Sequence, residues 1–429
     1  MVVWQAYRFA LDPNDRHRGR LASHAGGARF AYNLGLQWLI KSQEVSGPIP
    51  SAFAMHQRWN QWKRDPANGV TWWSDNSELV YQQAFIDLER AFLASRSAVR
   101  RGRLKGFPRF KRKGTSRDRF QISGPIDVGP GWVQLPKLGR LRLAEDPMKL
   151  LRRVDNRTAR ITSASISREA QRWYISLRVE TRRQPATVRA DREVVGLDLG
   201  INALVTLSNG QVFGPPPALR PNLGRLRRLS KAHSRKKQHS ANRRKSAGRL
   251  ARCHAHIAHL RRDYLHKLTT HLAKNHGRIV METLSIPAII RDGRLTRSIA
   301  DASWGELSSM LEYKCRWYGS KLIRADRFFA SSKTCSACGI RKETLALRER
   351  TFSCENCGSV LDRDLNAAIN LANWPAVAGS APETQNACRG DVRPGLGRAI
   401  PDEAGTERPT LASDSEHGWL VGFSGIWGG

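Results

Sequence analysis

Apolar residues recur at helical spacing in two stretches of the N-terminal part of the chain. The first stretch is HAGGARFAYNLGLQWLIKSQ and the second is YQQAFIDLERAFLASRS. Apolar positions three or four residues apart place one face of a helix against a core, and we interpret these aromatics as the core of a helical bundle. Base stacking along a nucleic-acid groove is the alternative. The apolar positions are Phe30, Leu34, Trp38 and Leu39 in the first stretch and Phe85, Leu88 and Phe92 in the second.

Short β-strands are predicted between residues 130 and 180, where apolar and polar positions alternate. Ile175, Leu177 and Val179 fall on one side of such a strand, and the polar residues between them fall on the other. We expect these strands to form a small β-barrel. The stretch from Trp4 to Ala10 would complete the barrel, so that the helical stretch becomes an insertion.

A different pattern begins at VVGLDLG, a nearly continuous apolar strand that is interrupted by one acid, Asp198. The segment ALVTL predicts a second strand, and Asn209-Gly210 predicts the tight turn of a hairpin. GRIVMETLSI predicts another apolar strand that carries one acid, Glu282. A helix from Trp304 to Tyr318 and a strand in KLIRADRFFA are predicted after it.

The net charge of the chain indicates the kind of partner that it binds. The chain has 429 residues, with 72 Lys or Arg against 37 Asp or Glu, a formal net charge of +35 and a pI of about 11.0. Its length suggests about two to four domains. A balance this basic favours nucleic acid over an anionic membrane surface, and no apolar run reaches the roughly 18 residues that could span a bilayer. Because the N-terminus resembles no signal peptide, we expect a cytoplasmic protein that binds no membrane.

Two basic runs predict where nucleic acid binds. Residues 96–119 contain eleven Lys or Arg with Phe107, Pro108 and Phe110 interleaved, and residues 220–249 contain twelve with no acid. A solvated charge run is the ordinary interpretation, but the aromatics and the Gly and Pro breakers favour a structured contact. The predicted nucleic-acid contacts are Arg101, Arg103, Lys105, Arg109, Lys111, Arg112, Lys113, Arg227, Arg228, Arg235, Lys236, Lys237, Arg243 and Arg244.

Four of the seven cysteines form two CxxC pairs with fifteen residues between them: Cys335 and Cys338, then Cys354 and Cys357. A glycine directly follows each pair, as the tight turn of a zinc knuckle requires. Two such pairs predict one tetrahedral Zn2+ held by four thiolates. No ligand position is left for water, so we expect a structural zinc. Four thiols without metal are the alternative.

Acids in or directly after apolar segments form a second candidate site. They are Asp198, Glu282 and either Asp362 or Asp364, and each could by itself be a helix cap or a solvated strand end. Burial of such an acid is costly unless it is paired or bound to a cation. If the three converge on one sheet, they could hold Mg2+ with oxygen ligands and promote phosphodiester cleavage.

These motifs resemble a known family. GLDLGINALVTLSNG, IVMETLSI and CSACG…CENCGSVLDRDLNAAINLA are similar to the three RuvC motifs and the interposed zinc ribbon of the TnpB family, which is encoded by bacterial insertion sequences and related to type V CRISPR effectors. GFPRFKRKG and GGARFAYNLGLQWL resemble the N-terminal half of the same family. The resemblance covers roughly residues 1–375. It implies an α/β RNase H-like (RuvC) nuclease core with an inserted four-cysteine zinc ribbon, a β-barrel wedge domain and a helical recognition domain.

The resemblance also implies boundaries and roles. It implies that the catalytic, magnesium-binding acids are Asp198, Glu282 and Asp364. Asp364 is preferred as the third acid because it stands directly before Leu-Asn-Ala-Ala, and Asp362 is the alternative. The implied function is RNA-guided cleavage of double-stranded target DNA by a monomer with its guide RNA. A nuclease-silent RNA-guided repressor and a conventional transposase are the competing interpretations. The implied domains are the wedge (1–14 and 117–189), recognition domain (15–116), nuclease (190–329 and 360–376), zinc ribbon (330–359) and disordered tail (377–429).

Overall fold

The computed structural model describes residues 2–45, 47–102, 106–182, 192–284, 302–346 and 348–374. The predicted tail, 377–429, lies outside these residues. The N-terminal part begins with one strand, continues through three helices, and has two short 3-10 turns at Pro66–Asn68 and Trp72–Asp75. These elements are β1 (Val2–Ala10), α1 (Asp15–Glu44), α2 (Ala52–Trp62) and α3 (Glu78–Arg100).

Helices α1, α2 and α3 pack around an aromatic core. Trp59 and Phe85 have no exposed surface, and Trp38 stacks on Phe85 with a ring-centroid distance of 6.1 Å. Gly35 permits the close approach of α1 and α3, because a Cβ at this position would lie 2.9 Å from the Phe85 ring. The interpretation of these aromatics as a helical core is therefore confirmed.

An antiparallel sheet of four strands follows, in the order β1-β7-β6-β2. Strand β1 pairs with β7 from Val2 opposite Arg182 to Ala10 opposite Tyr174, so the start of the chain joins the strands that follow the helices. The three helices are thus inserted between two strands of one sheet. The other elements of this part are β2 (Arg119–Ser123), β3 (Asp127–Gly129), β4 (Trp132–Leu135), β5 (Gly139–Arg142), α4 (Met148–Asp155), β6 (Ala159–Glu169) and β7 (Arg172–Arg182).

The expected closed barrel is not found among the described strands. Strands β3, β4 and β5 form a separate small sheet, and one isolated bridge between Leu11 and Leu143 connects the two sheets. The three strands pair only with one another, so they do not continue the ladder from β1 around to β2. Both sheets nevertheless bury their apolar faces in one core, which contains Phe9, Val133 and Ile175.

The C-terminal part contains a five-stranded mixed sheet in the order β10-β9-β8-β11-β12. Strands β8, β11 and β12 are parallel, whereas β9 runs antiparallel to β8 and forms a hairpin with β10. The predicted turn lies in this hairpin, where Gly210 adopts a φ of +85°. The strands are β8 (Val194–Asp198), β9 (Val205–Leu207), β10 (Val212–Phe213), β11 (Arg278–Met281) and β12 (Lys321–Arg324).

Helices cover both faces of this sheet. One face, which includes Val195 and Leu197, packs against α6 and α7, and the other face, which includes Gly196, packs against α8. Helix α7 has the bounds that the sequence predicted. The helices are α5 (Leu219–Ser234), α6 (Ala241–Asn275), α7 (Trp304–Tyr318) and α8 (Arg363–Ala372), and a hairpin of β13 (Thr351–Ser353) and β14 (Val360–Asp362) precedes α8. None of the helices in the described ranges is long and apolar enough to cross a membrane.

Candidate functional site

Two of the predicted acids lie at the carboxyl edge of the parallel strands. Asp198 is the last residue of β8, and Glu282 directly follows β11. Leu197 pairs with Met281 in the parallel register, so the two acids occupy equivalent positions on neighbouring strands. The carboxyl ends of strands in open α/β sheets are where such folds bind ligands.

The third acid reaches this edge from α8. Gly196 and Asp198 lie on the same face of β8, because side chains alternate along a strand. On α8, Asp364 and Ala368 are one helical turn apart and share a face. A Cβ at Gly196 would lie 1.8 Å from the Ala368 carbonyl oxygen, and a Cβ at Gly200 would lie 3.8 Å from Asp364 Oδ2. The absence of a side chain at Gly196 thus lets α8 lie directly on β8, with Asp364 beside the strand end.

The structure assigns different local roles to the two neighbouring aspartates. Asp362 is the N-cap of α8, and its Oδ1 accepts hydrogen bonds from the backbone N–H groups of Asp364 (2.9 Å) and Leu365 (3.0 Å). Asp364 lies one residue inside the helix and faces Gly200. This arrangement supports Asp364 as the third acid of the cluster.

Burial and mutual repulsion raise the pKa values of the two strand-end acids. Burial is the largest cause of the rise in the pKa of Asp198, well above its usual range, and the charges of Glu282 and Asp364 add to it, while Arg363 opposes it. The pKa of Glu282 is raised to about 7, again chiefly by burial, with a further contribution from Asp364. A divalent cation beside these acids would relieve both the repulsion on Asp198 and Glu282 and the cost of burying them, although the carboxylate oxygens do not come as close together as the cysteine sulfurs.

A pocket of about 220 Å³ adjoins Glu282. Trp304 and Ser308 of α7 line it, and their Nε1 and Oγ atoms are buried with no hydrogen-bond partner among the described residues. Arg324, at the end of β12, also lines the pocket. Sequence reasoning did not find these residues, because no motif marks them and only the packing of α7 against the sheet brings them to Glu282.

The four cysteines form a compact cluster. Their sulfur atoms all lie within 4.8 Å of one another. Among the described residues, no other group of three or more potential metal ligands comes this close together. The two knuckles repeat one geometry: Gly339 N–H donates to the Cys335 carbonyl at 2.9 Å, and Gly358 N–H donates to the Cys354 carbonyl at 3.0 Å. Both glycines have positive φ, +78° and +72°, as predicted for tight turns. The donor set and its spacing fit zinc.

The predicted basic contacts fall into three groups. Arg103 and Lys105 lie outside the described residues. Lys111 and Arg243 are partly buried and have contacts within the chain: the Lys111 ammonium lies 3.5 Å from the centroid of the Tyr32 ring, and Arg243 Nη1 donates to the Lys236 carbonyl at 2.9 Å. The exposed group consists of Arg101, Arg109, Arg112, Lys113, Arg227, Arg228, Arg235, Lys236, Lys237 and Arg244.

A basic cleft that sequence reasoning missed lies between β1 and helices α6 and α7. Its volume is about 900 Å³, and none of the described residues that line it is acidic. Its cations come from four different elements, so no basic run in the sequence marks it. The cations that line the cleft are Arg8, Lys149, Arg153, Arg262, Lys314 and Arg316, and its aromatic residues are Trp4, Tyr313, Trp317 and Tyr318.

Lys314 differs from the other cations of this cleft. Its ammonium donates to the His266 carbonyl, Thr269 Oγ1 and Thr270 Oγ1 at 2.6 to 2.7 Å, so all three of its donors are used within the protein. Burial lowers its pKa to about 8. Lys314 therefore fixes α7 against α6 and shapes the wall of the cleft.

Comparison with known proteins places the chain in a family. Three family models match it: "Helix-turn-helix domain" at residues 1–42, "Probable transposase" at 176–291 and "Cas12f1-like, TNB domain" at 304–371. A Streptomyces pristinaespiralis protein named "Putative RNA-guided DNA endonuclease" is 35% identical over 404 residues, covering 91% of this chain and 92% of its own. The chain belongs to the TnpB family.

Other relatives match most of the chain as well, and one solved structure shares its fold. The Escherichia coli K12 protein named "Putative RNA-guided DNA endonuclease InsQ" is 32% identical over 86% of this chain and 91% of its own. A Mycobacterium tuberculosis H37Rv relative with the same description is 34% identical over 87% and 88%. The Cas12f1 chain from a cryo-EM complex with guide RNA and target DNA has the same fold, with a TM-score of 0.57 over 87% of this chain and 99% of its own at 14% identity.

Proposed function

We propose that this TnpB-family chain is an RNA-guided, Mg2+-dependent DNA endonuclease of an insertion sequence. The observation that carries the proposal is the meeting of Asp198, Glu282 and Asp364 at the carboxyl edge of the sheet. The relatives named as RNA-guided DNA endonucleases, which match nearly the whole chain, support the reaction class. The proposed fold is an RNase H-like nuclease core at 190–329 and 360–376.

Asp198, Glu282 and Asp364 would hold the Mg2+. When bound, a pair of such ions supplies an activated water and stabilises the leaving oxygen of a phosphodiester. The three acids come from two strands and a helix that pack on one another, so their separation is fixed by the sheet and not by flexible loops. Asp362 holds the first turn of α8 and thereby orients Asp364. Cys335, Cys338, Cys354 and Cys357 would hold a structural Zn2+.

The remaining domains follow from the same family pattern. We propose that residues 15–116 form the recognition domain, that 1–14 and 117–189 form a wedge built of two open sheets, and that 330–359 form the zinc ribbon. The basic cleft and the exposed members of the two basic runs support binding of guide RNA and target DNA. We propose that the protein acts as a cytoplasmic monomer with its RNA.

Guided cleavage of a plasmid tests this function directly. The RNA that copurifies with the protein is sequenced, its guide segment is changed to match a plasmid, and the complex is incubated with that plasmid in Mg2+. We expect cutting at the matched site, and none with an unmatched plasmid or without RNA. Binding without cutting would identify a repressor, and strand joining without a copurifying RNA would identify a conventional transposase.

Purified protein should contain about one equivalent of zinc per chain, because four cysteine sulfurs meet within 4.8 Å. Cys335→Ser should lose that zinc and destabilise the module, since structural zinc contributes folding free energy directly. Cys253→Ser, which changes a buried cysteine of α6 outside the cluster, is the control and should keep the zinc. Elemental analysis provides the measurement; less than half an equivalent in folded wild-type protein contradicts the zinc assignment.

RNA affinity should fall steeply with salt, because the cleft would neutralise backbone phosphates. Each neutralised phosphate contributes about 0.7 to 0.9 to the slope of log affinity against log salt. The double variant Arg153→Gln, Arg316→Gln removes two cleft cations and should reduce the slope by about one to two. Filter binding from low to moderate salt measures the slope. A slope that is unchanged in this variant would exclude the cleft from RNA binding.

A further inference from the structure

Two buried asparagines of α8 lie between the acid cluster and the cysteine cluster. Asn366 has no exposed surface, and its Oδ1 accepts a hydrogen bond from the Ser336 backbone N–H at 2.9 Å. Ser336 stands between Cys335 and Cys338 in the first knuckle. Asn366 also donates through Nδ2 to the Thr334 carbonyl at 2.7 Å. One side chain thus bonds the backbone on either side of a cysteine.

The second asparagine, Asn370, lies one helical turn further along α8 and bonds the same segment. Its Nδ2 donates to the carbonyls of Ser331 (2.8 Å) and Thr334 (2.6 Å), and it is 7% exposed. Its partners lie directly before the first knuckle. The segment from Ser331 to Ser336, which leads into the first knuckle, is therefore bonded to two successive turns of α8.

The partners require the amide group itself at position 366. A backbone N–H needs an acceptor and a carbonyl needs a donor, and only an amide of this size supplies both from one side chain. Aspartate would place an oxygen against the Thr334 carbonyl, and leucine would leave two buried backbone groups without partners.

The second knuckle is joined to the same helix by the chain itself. Strand β14 begins two residues after Gly358, and its last residue, Asp362, is the N-cap of α8. The Arg363 N–H also donates to the Arg350 carbonyl at 2.7 Å, next to β13. Helix α8 is therefore attached to the first knuckle through Asn366 and Asn370, and to the second knuckle through Asp362 and Arg363. In the sequence, Asp364 lies between these two attachments.

We propose that Asn366 and Asn370 are positioning residues that couple the cysteine cluster to Asp364, so that zinc held by the four cysteines fixes the helix that carries the third nuclease acid. The proposal rests on the proposed function for the role of Asp364, but the hydrogen bonds that carry it do not depend on that role. Loss of zinc would release the first knuckle, and with it the restraint along α8.

This coupling is reciprocal, because linkage between two binding sites acts equally in both directions. If zinc in the knuckles places Asp364 for Mg2+, then Mg2+ at the acids must also strengthen the retention of zinc. Changes in residues that orient metal ligands through hydrogen bonds typically alter metal affinity or activity by about 10- to 100-fold. The two asparagines are expected to fall in this range.

Zinc release tests the coupling without any use of cleavage. Asn366→Leu and Asn370→Leu are compared with Asn373→Leu, which makes the same chemical change at an exposed position at the end of the same helix. Zinc transfer from the whole protein–RNA complex to a chromophoric chelator is followed without Mg2+. We expect the two buried-site variants to release zinc at least about ten times faster than the wild type, and Asn373→Leu to release it at the wild-type rate. Equal release from all three overturns the proposal. If Asn366→Leu does not fold, Asn370→Leu decides this comparison.

A second measurement separates positioning from general stability. Mg2+ should strengthen the equilibrium binding of zinc by the wild type, measured as the partition of zinc between protein and chelator, and this effect should vanish in Asn366→Leu and in Asp364→Asn. A variant that only loosens the fold would release zinc faster but keep the Mg2+ effect, which would refute the coupling. Wild-type protein that fails to cut a matched plasmid refutes the proposed function, whereas intact cutting with zinc release indifferent to the asparagines refutes this inference alone.

Discussion

Asp198→Ala should reduce guided DNA cleavage by about 1,000-fold or more, and so should Glu282→Ala and Asp364→Ala. Each acid contributes to one metal-binding unit, so loss of one carboxylate removes most of what the unit does. For the same reason, a double variant should be hardly worse than either single variant. The measurement is the rate of cutting of a matched plasmid in Mg2+ by the protein–RNA complex.

Asp362→Ala is the matched control for Asp364→Ala. Asp362 caps α8 through two backbone N–H groups, and loss of such a cap costs about 1 kcal/mol of stability. We therefore expect appreciable cleavage and RNA binding like that of the wild type. Full activity in Asp364→Ala combined with an inactive Asp362→Ala would exchange the two assignments. Cleavage by Asp198→Ala at the normal rate would exclude the mechanism.

Gly196→Ala should be nearly as damaging, although it changes no charged group. The new methyl group would meet the Ala368 carbonyl oxygen at 1.8 Å and the Ala372 nitrogen at 2.5 Å, and both are backbone atoms that no rotamer change can move away. Helix α8 must then shift off β8 and carry Asp364 with it. We expect a loss of about 3 kcal/mol in stability together with loss of cleavage.

Gly224→Ala provides the comparison, because Gly224 lies within α5 and a Cβ there meets nothing within 4 Å. Alanine in an open helical position stabilises by about 0.5 to 1 kcal/mol. Melting temperature and cleavage rate, measured side by side for the two variants, check the prediction. A Gly196→Ala protein that melts and cuts like the wild type would show that α8 does not lie on β8 as described.

The C-terminal sheet was predictable because its signals are local. The apolar stretches around Asp198 and Glu282 each became a strand of the expected sheet, and α7 begins and ends where the pattern placed it. Parallel pairing then brings the ends of β8 and β11 together. The choice of Asp364 over Asp362 depended on family resemblance, since both aspartates occur in one short polar segment and only the cap geometry distinguishes their surroundings.

The features that the sequence did not reveal depend on long-range packing. Barrel closure requires strand edges to meet, and the short strands β3, β4 and β5 pair among themselves instead. The basic cleft collects single cations such as Arg8 and Arg262 from distant elements. The basic runs remain a prediction as nucleic-acid contacts. Within the first run, the Lys111 ammonium lies over the Tyr32 ring, which a count of charges could not indicate.

The third acid lies on the last described element of the chain, and this has a consequence during translation. Asp198 and Glu282 leave the ribosome with β8 and β11, which pair with each other, whereas Asp364 emerges only with α8. At about 5 to 20 residues per second, the 82 residues from Thr283 through Asp364 take on the order of 4 to 16 seconds to synthesise. A nascent or prematurely terminated chain that ends between Tyr318 and Asp364 would thus contain the helical unit, both N-terminal sheets and the basic cleft, but would lack the third acid of the cutting site. Such truncated proteins should bind guide RNA but not cleave DNA.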